Sequence, residues 1–309
     1  MTGFSNLDDD CLMPSMIYGT AWKGESTAEL TKTAIRCGFT GVDTAPDLKN
    51  YREDLVGDAI RECFNNGDVV RKQLYVSTPT IQTKFTPSEG VQSIHLPYDK
   101  ESPLAEQVKQ SIKNSLHHLK EDHGPRTVPG HAYIDCLILH FPLQTASATF
   151  EVWAAMETFV PQEVRRLGLS NVSVQVLRRI YETVSIKPFV VQNRWCAQTG
   201  YDAALRTFCL EKGIIYQAYG ILTKSPELLL CEPVLQVVRL AGVSKAAALY
   251  FLVKSLGNVS ILDGTCDREH MVSDQIELEH LRHWSISSGN QGWDPLLKCF
   301  EDIVNESAI

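Results

Sequence analysis

Thr40-Gly41-Val42-Asp43-Thr44-Ala45-Pro46-Asp47-Leu48-Lys49-Asn50-Tyr51 carries the reading of the fold. It opens as a short β-rich run, reaches a carboxylate at Asp43, turns at Pro46-Asp47, and passes into the charged, helix-like Tyr51 to Phe64. A carboxylate at a strand end and a tyrosine at the start of the next helix can face the same rim of an α/β domain, the rim that holds the chemistry of such folds. Taken alone, Asp43 could equally cap a turn, and Tyr51 could be an ordinary surface residue.

The same unit recurs on either side. Met16 to Thr20 reads as a first strand, followed by a helix from about Ser26 to Cys37 that Gly38 stops. Downstream, Leu74 to Thr78 and Ile81 to Phe85 are strand-like, divided by Pro79. Thr86 to Pro103 has no periodicity, and a loop of that length reads as a lid or a disordered segment. Leu104, Val108, Ile112 and Leu116 recur at helical spacing. Tyr133 to His140 is almost continuously apolar, as in a parallel strand buried on both faces. Strands at Val164 to Ser170, Phe189 to Asn193, Ile214 to Tyr219 and Val259 to Leu262 alternate with helical stretches. About eight such alternations without a break in composition predict one (β/α)8 TIM barrel, an α/β fold. Residues 1–309 read as a single domain, with a core of about 16–274, extra loops and a C-terminal tail at 285–309 that ends in a short helix, Pro295 to Val304.

Composition narrows the function. A net charge of −8 argues against nucleic acid or an anionic membrane as the main partner. No apolar run is long enough to span a bilayer, and the polar start is unlike a signal peptide. The nine cysteines are scattered with no Cys-x-x-Cys pair, which predicts free thiols, a cytoplasmic setting and no metal site.

Polar residues interrupt the predicted strand ends at Asp43, Lys84, His140, Ser170-Asn171 and Gln192-Asn193. A barrel gathers such ends on one face. A histidine or a lysine by itself is often structural; an acid, a tyrosine, a lysine and a histidine on successive strand–loop units point together to proton chemistry.

At these residues the chain resembles the aldo-keto reductase superfamily. The resemblance is carried by Gly41 to Ala45, Tyr51 with Val56 to Ile60, Gln82-Thr83-Lys84 and Tyr133 to His140. It continues through Arg166 to Asn171, Val190 to Asn193 and Ala218-Tyr219, in order from about Met16 to Asp274. It implies a barrel that binds NADP(H), or possibly NAD(H), without a glycine-rich dinucleotide fingerprint, and that reduces a small carbonyl compound. It implies Tyr51 as proton donor, Lys84 as the ammonium that lowers the tyrosine's pKa, Asp43 as the partner of Lys84, and His140 as a hydrogen-bond donor to the carbonyl oxygen. Ser170, Asn171 and Gln192 would hold the nicotinamide carboxamide, and Tyr219 would stack on its ring. Trp22, the Thr86 to Pro103 loop, Phe141, Trp195 and the tail would form an apolar wall suited to a hydrophobic aldehyde or ketone.

Three departures from the family pattern bear on these expectations. The family's tyrosine stands five residues after the aspartate, where this chain has Leu48, so the loop must bulge to return Tyr51. The stretch from Leu74 to Gln82 is longer than usual, which leaves open whether Lys84 is displaced. The last strand carries Leu262-Asp263 where a lysine and a serine usually meet the adenosine 2′-phosphate, so a carboxylate would oppose that phosphate and Arg268 would be the cation left to clamp it. Two other readings share the pocket: a non-redox acid–base catalyst, and a cofactor-binding regulatory barrel such as the potassium-channel β subunits.

Overall fold

The computed structural model describes residues 13–68, 80–89, 96–119, 133–287 and 292–306. Eight parallel strands close into a barrel in sequence order. They are β1 (Met16–Gly19), β2 (Gly41–Asp43), β3 (Thr80–Phe85), β4 (Ile134–Leu139), β5 (Val164–Ser170), β6 (Val190–Arg194), β7 (Ile215–Tyr219) and β8 (Val259–Asp263). Closure is made by β1 against β8, with Ile17 level with Leu262. Between the strands lie α1 (Thr27–Arg36), α2 (Glu53–Asn65), α3 (Leu104–Leu119), α4 (Ala146–Glu157), α5 (Val174–Thr183) and α6 (Ala203–Lys212). The short α7 (Ile221–Lys224) follows β7, and the pair α8 (Glu232–Ala241) and α9 (Lys245–Lys254) precedes β8. The chain then runs through α10 (Arg268–Ile286) to α11 (Trp293–Glu306). The expected barrel is therefore the observed one. The Leu74 to Thr78 run, part of the Thr86 to Pro103 loop and part of the tail lie outside the described residues.

Local chemistry sets several boundaries. The Ser173 hydroxyl accepts from Val176 N at the start of α5, and Thr145 does the same for Ala148 N at α4. Gly213 ends α6 in the left-handed region at φ 68°. Gly57 is required for a different reason: a Cβ there would lie 1.9 Å from the His118 carbonyl oxygen, so α2 and α3 touch backbone to backbone.

The stretch after β8 differs from the sequence expectation, which placed no helix between Thr265 and Trp284. The buried residues of α10 are Met271, Asp274, Leu278 and Leu281, a helical stripe with a carboxylate inside it. That carboxylate, and the exposed Ile276 and Ile286, blur the apolar period.

At its C-terminal end the barrel lumen is polar. Gln82 Nε2 donates to Asp43 Oδ1 (2.6 Å) and to Gln217 Oε1 (2.7 Å), while Gln192 Nε2 donates to the same two oxygens at 3.0 and 2.6 Å. Side chains from β2, β3, β6 and β7 thus close a hydrogen-bonded ring across the lumen. Gln82 Nε2 and Gln192 Nε2 each use both hydrogens, whereas Gln217 Nε2 and Gln82 Oε1 have no partner among the described residues. The ring leaves Asp43 with its other oxygen for Lys84.

Candidate active site

Asp43 ends β2 and Lys84 lies one residue before the end of β3, and both are buried. Lys84 Nζ stands 2.5 Å from Asp43 Oδ2 and donates to the Thr44 carbonyl at 3.2 Å. A buried ammonium needs both partners to offset its lost hydration. Lys84 is therefore not displaced, whatever path the longer segment before it takes.

The Asp47 turn explains how Tyr51 returns. Asp47 O accepts from Asn50 N (3.1 Å) and Tyr51 N (2.9 Å), and its carboxylate accepts from Lys49 N (3.1 Å) and Asn50 Nδ2 (3.0 Å). The extra residues Leu48-Lys49-Asn50 are coiled into one turn by a single aspartate, an Asx-type closure. Leu48 is left exposed at 47%, while the Tyr51 ring centroid lies 5.1 Å from Lys84 Nζ and 6.2 Å from the His140 ring. Asn50 Oδ1 also accepts from Trp22 Nε1 at 3.0 Å, which ties the turn to the loop after β1.

His140 follows β4. Its Nδ1 is 2.9 Å from Thr86 Oγ1, its ring lies 5.6 Å from Phe141, and its main-chain nitrogen donates to Phe85 O at 2.9 Å. Burial first, and the Lys84 charge second, push its pKa down to about 3, so the imidazole is neutral in ordinary buffers.

Tyr51 moves the other way. Burial, and after it the charge of Asp43, hold its pKa well above the ordinary phenol value. The lowering expected from the Lys84 ammonium is outweighed here: burial leads, the Asp43 carboxylate also faces the phenol, and the net direction is upward. Tyr51 consequently holds its proton throughout the neutral range.

The next ends of the barrel form a flat shelf. Asn171 adopts φ 56°, and its Nδ2 donates to His140 O (2.9 Å) and Ser170 Oγ (3.0 Å). Its Oδ1 accepts from the Tyr219 hydroxyl at 2.7 Å. Beside this shelf a cleft of about 1020 Å³ carries Arg194 and Lys224 on its wall.

Trp22 is 79% exposed at the mouth and holds φ 58°, in the left-handed region that a bulky residue rarely enters. Trp195 is a correction. It is fully buried, with its ring 5.3 Å from Tyr201 and 6.4 Å from Tyr216, and the Arg206 guanidinium 5.1 Å away. Alternation along β6 is the cause: Gln192 enters the lumen, so Asn193 and, beyond it, Trp195 turn outward to the helical layer.

A model of the family described as the aldo/keto reductase family matches residues 15–226. The chain belongs to the aldo/keto reductase family. A family 1 aldo-keto reductase of Rattus norvegicus is 26% identical over 305 residues, covering 88% of this chain and 86% of that protein. The glycerol 2-dehydrogenase (NADP(+)) of Hypocrea jecorina is 29% identical over 242 residues, 69% of this chain and 66% of its own length. A family 4 aldo-keto reductase of Arabidopsis thaliana is 23% identical over 234 residues, and the chain spans 64% of it. Among solved structures, an aldo-keto reductase of Bombyx mori in complex with NADP superposes with a TM-score of 0.69 at 20% identity, over 97% of this chain and 91% of that one.

Two residues of this aldo/keto reductase are placed differently from the sequence expectation. Gln192, read in the sequence as a carboxamide contact, spends its amide nitrogen on Asp43 and Gln217. Asp263 does not stand out into the rim as expected: it is buried, and its Oδ1 accepts from Thr265 N (3.0 Å) and the Tyr250 hydroxyl (3.3 Å). Burial raises its pKa, and its contacts with Thr265 and Tyr250 keep it back from the rim. Arg268 is exposed on the first turn of α10, and Lys23, which sequence reasoning missed, reaches the Gly264 carbonyl and Cys266 Sγ. No spacing could have flagged Lys23 or Thr86, because each meets its partner only through barrel closure or strand pairing.

Proposed function

We propose that this chain reduces an aldehyde or ketone to an alcohol with a reduced nicotinamide cofactor, NADP(H) in the first instance. The observation that carries the reading is the convergence of four side chains on one rim. Lys84 Nζ lies 2.5 Å from Asp43 Oδ2 and 5.1 Å from the Tyr51 ring centroid, and the Tyr51 ring lies 6.2 Å from that of His140.

The donor set fits a nicotinamide. Ser170 and Asn171 would hold the nicotinamide carboxamide, and the half-buried Tyr219 ring, braced by Asn171, would give a stacking face. Arg194 and Lys224 in the adjoining cleft, with Arg268 and Lys23 beyond β8, supply positive charge for phosphates. When bound, the reduced nicotinamide supplies a hydride to the carbonyl carbon.

The protein's residues manage the oxygen. As negative charge grows there, Tyr51 passes its hydroxyl proton to it, and Lys84 stabilises the phenolate that remains. Asp43 keeps Lys84 in place, and the Gln82–Gln192–Gln217 ring keeps Asp43 in place. His140, being neutral, donates a hydrogen bond and no proton. Trp22, Leu48 and Phe141 give the mouth its apolar character, which suits a hydrophobic carbonyl compound. Consumption of NADPH and NADH, followed at the nicotinamide absorbance with a panel of aromatic and aliphatic aldehydes and ketones, tests the proposal. Carbonyl-dependent oxidation supports it. Binding without oxidation across the panel would transfer the reading to a cofactor-binding barrel.

A further inference from the structure

We propose that Thr86 is a positioning residue that fixes the tautomer of His140, donating its hydroxyl hydrogen to Nδ1 so that the imidazole presents Nε2–H to the substrate oxygen. The inference rests on the catalytic reading above, and it assigns to a residue just past β3 a role exercised through His140.

The geometry is specific. Thr86 Oγ1 lies 2.9 Å from His140 Nδ1, and Thr86 is 2% exposed. Its main chain is held as well, since the buried Tyr98 hydroxyl donates to Thr86 O at 2.6 Å and the Tyr98 ring packs on Phe85 at 5.6 Å. The His140 main chain is held too, through His140 N to Phe85 O and Asn171 Nδ2 to His140 O, and its ring is flanked by Phe141 at 5.6 Å and Tyr51 at 6.2 Å.

A neutral imidazole has one donor nitrogen and one acceptor nitrogen, so the direction of this bond decides which atom faces the substrate. Two arrangements are conceivable. If Nδ1–H donates to Oγ1, the threonine hydrogen has no other acceptor among the described residues, and Nε2 turns a lone pair toward the carbonyl oxygen. If the hydroxyl donates to Nδ1, every polar hydrogen in the contact is used and Nε2–H is available as a donor. Burial of Thr86 selects the second, because an unused hydroxyl hydrogen there loses its hydration without compensation. Protonation of both nitrogens is excluded by the site, where burial and the Lys84 charge disfavour the imidazolium.

The test reads the tautomer directly in the resting protein. Long-range proton–nitrogen correlation spectra are recorded on protein labelled with ¹⁵N-histidine, for the wild type, Thr86→Ser and Thr86→Val, with His140→Gln supplying the assignment. The expected result is an unprotonated Nδ1 and a protonated Nε2 for His140 in the wild type and Thr86→Ser, and a mixture of tautomers in Thr86→Val. Turnover of the carbonyl substrate should then fall on the order of 10-fold in Thr86→Val, with cofactor affinity unchanged and Thr86→Ser close to wild type. That is less than the ~10²-fold loss on deleting a whole oxyanion donor, because a mixed population keeps part of it. A proton on Nδ1 in the wild type overturns the proposal, as does a Thr86→Val protein that keeps the pure Nε2–H form. If Thr86→Val does not fold, the wild-type and Thr86→Ser spectra still decide. The spectra need no turnover, so failure to reduce carbonyls would count against the catalytic reading and leave the tautomer assignment standing.

Discussion

Replacing Asp274 by asparagine should stabilise this protein at neutral pH and leave it unchanged in acid. Asp274 lies in the buried stripe of α10, and its pKa is raised from 3.8 to about 7 by burial first, then by the charges of Asp263 and Glu277. Asp263 is also buried, and its Oδ2 has no hydrogen-bond partner among the described residues. Between about pH 4 and pH 7 the unfolded chain has released the Asp274 proton while the folded chain still holds it. The folded state therefore binds more protons in that window, and this group's contribution to stability falls as pH rises. That rise, at 1.36 kcal/mol per pH unit, puts an upper limit of about 4 kcal/mol on the cost above pH 7, and solvent screening reduces it. Asparagine keeps the shape, carries no charge and can donate to Asp263. Urea unfolding at pH 4, 5.5 and 7.5 should show the variant level with wild type at the lowest pH and increasingly more stable above it, by up to about 4 kcal/mol. A gap that fails to widen with pH, or a variant less stable at pH 7.5, would refute the account of Asp274 as a carboxyl that stays protonated in the folded α10.

Two further changes probe the packing of α2 against α3. Gly57→Ala would drive a methyl group into the His118 carbonyl, so unfolding free energy should fall by about 3 kcal/mol, visible as a lower Tm with an unchanged far-ultraviolet spectrum. His118 is raised above the ordinary histidine pKa, chiefly by its hydrogen bond to the buried Glu53, with burial opposing. The stabilisation is complete below about pH 6.5 and is lost as pH rises through the elevated folded value. His118→Gln should accordingly cost about 1–2 kcal/mol at pH 6 and much less at pH 9, read from paired denaturation curves.

Much of this architecture is written locally in the sequence. The β5 strand and the α3 helix have the boundaries that their patterns predict, Val164–Ser170 and Leu104–Leu119. Asp43, Lys84 and His140 stood out because each interrupts an apolar strand at its C-terminal end. What was not legible depends on contacts between distant segments. Trp195 looked like a pocket wall because aromatic character says nothing about which way a side chain turns just past β6. The phase was set by Gln192, whose place in the lumen depends on Gln217 and Asp43. Asp263 looked like a charge in the rim because its partner Tyr250 lies on α9, and the polar stripe that receives it concealed α10. The return of Tyr51 was legible as a requirement; the means, an Asp47 turn, needed the coordinates.

The central claim is that Tyr51, and not a residue at the family's usual spacing, delivers the proton. Single-turnover oxidation of bound NADPH by an aldehyde, compared between wild type, Tyr51→Phe and Leu48→Ala, tests it most directly. The account predicts that Tyr51→Phe slows the reductive step by about 10²-fold to 10⁴-fold with cofactor affinity nearly unchanged, and that Leu48→Ala leaves the step within a few-fold of wild type. Near-normal reduction by Tyr51→Phe would contradict it.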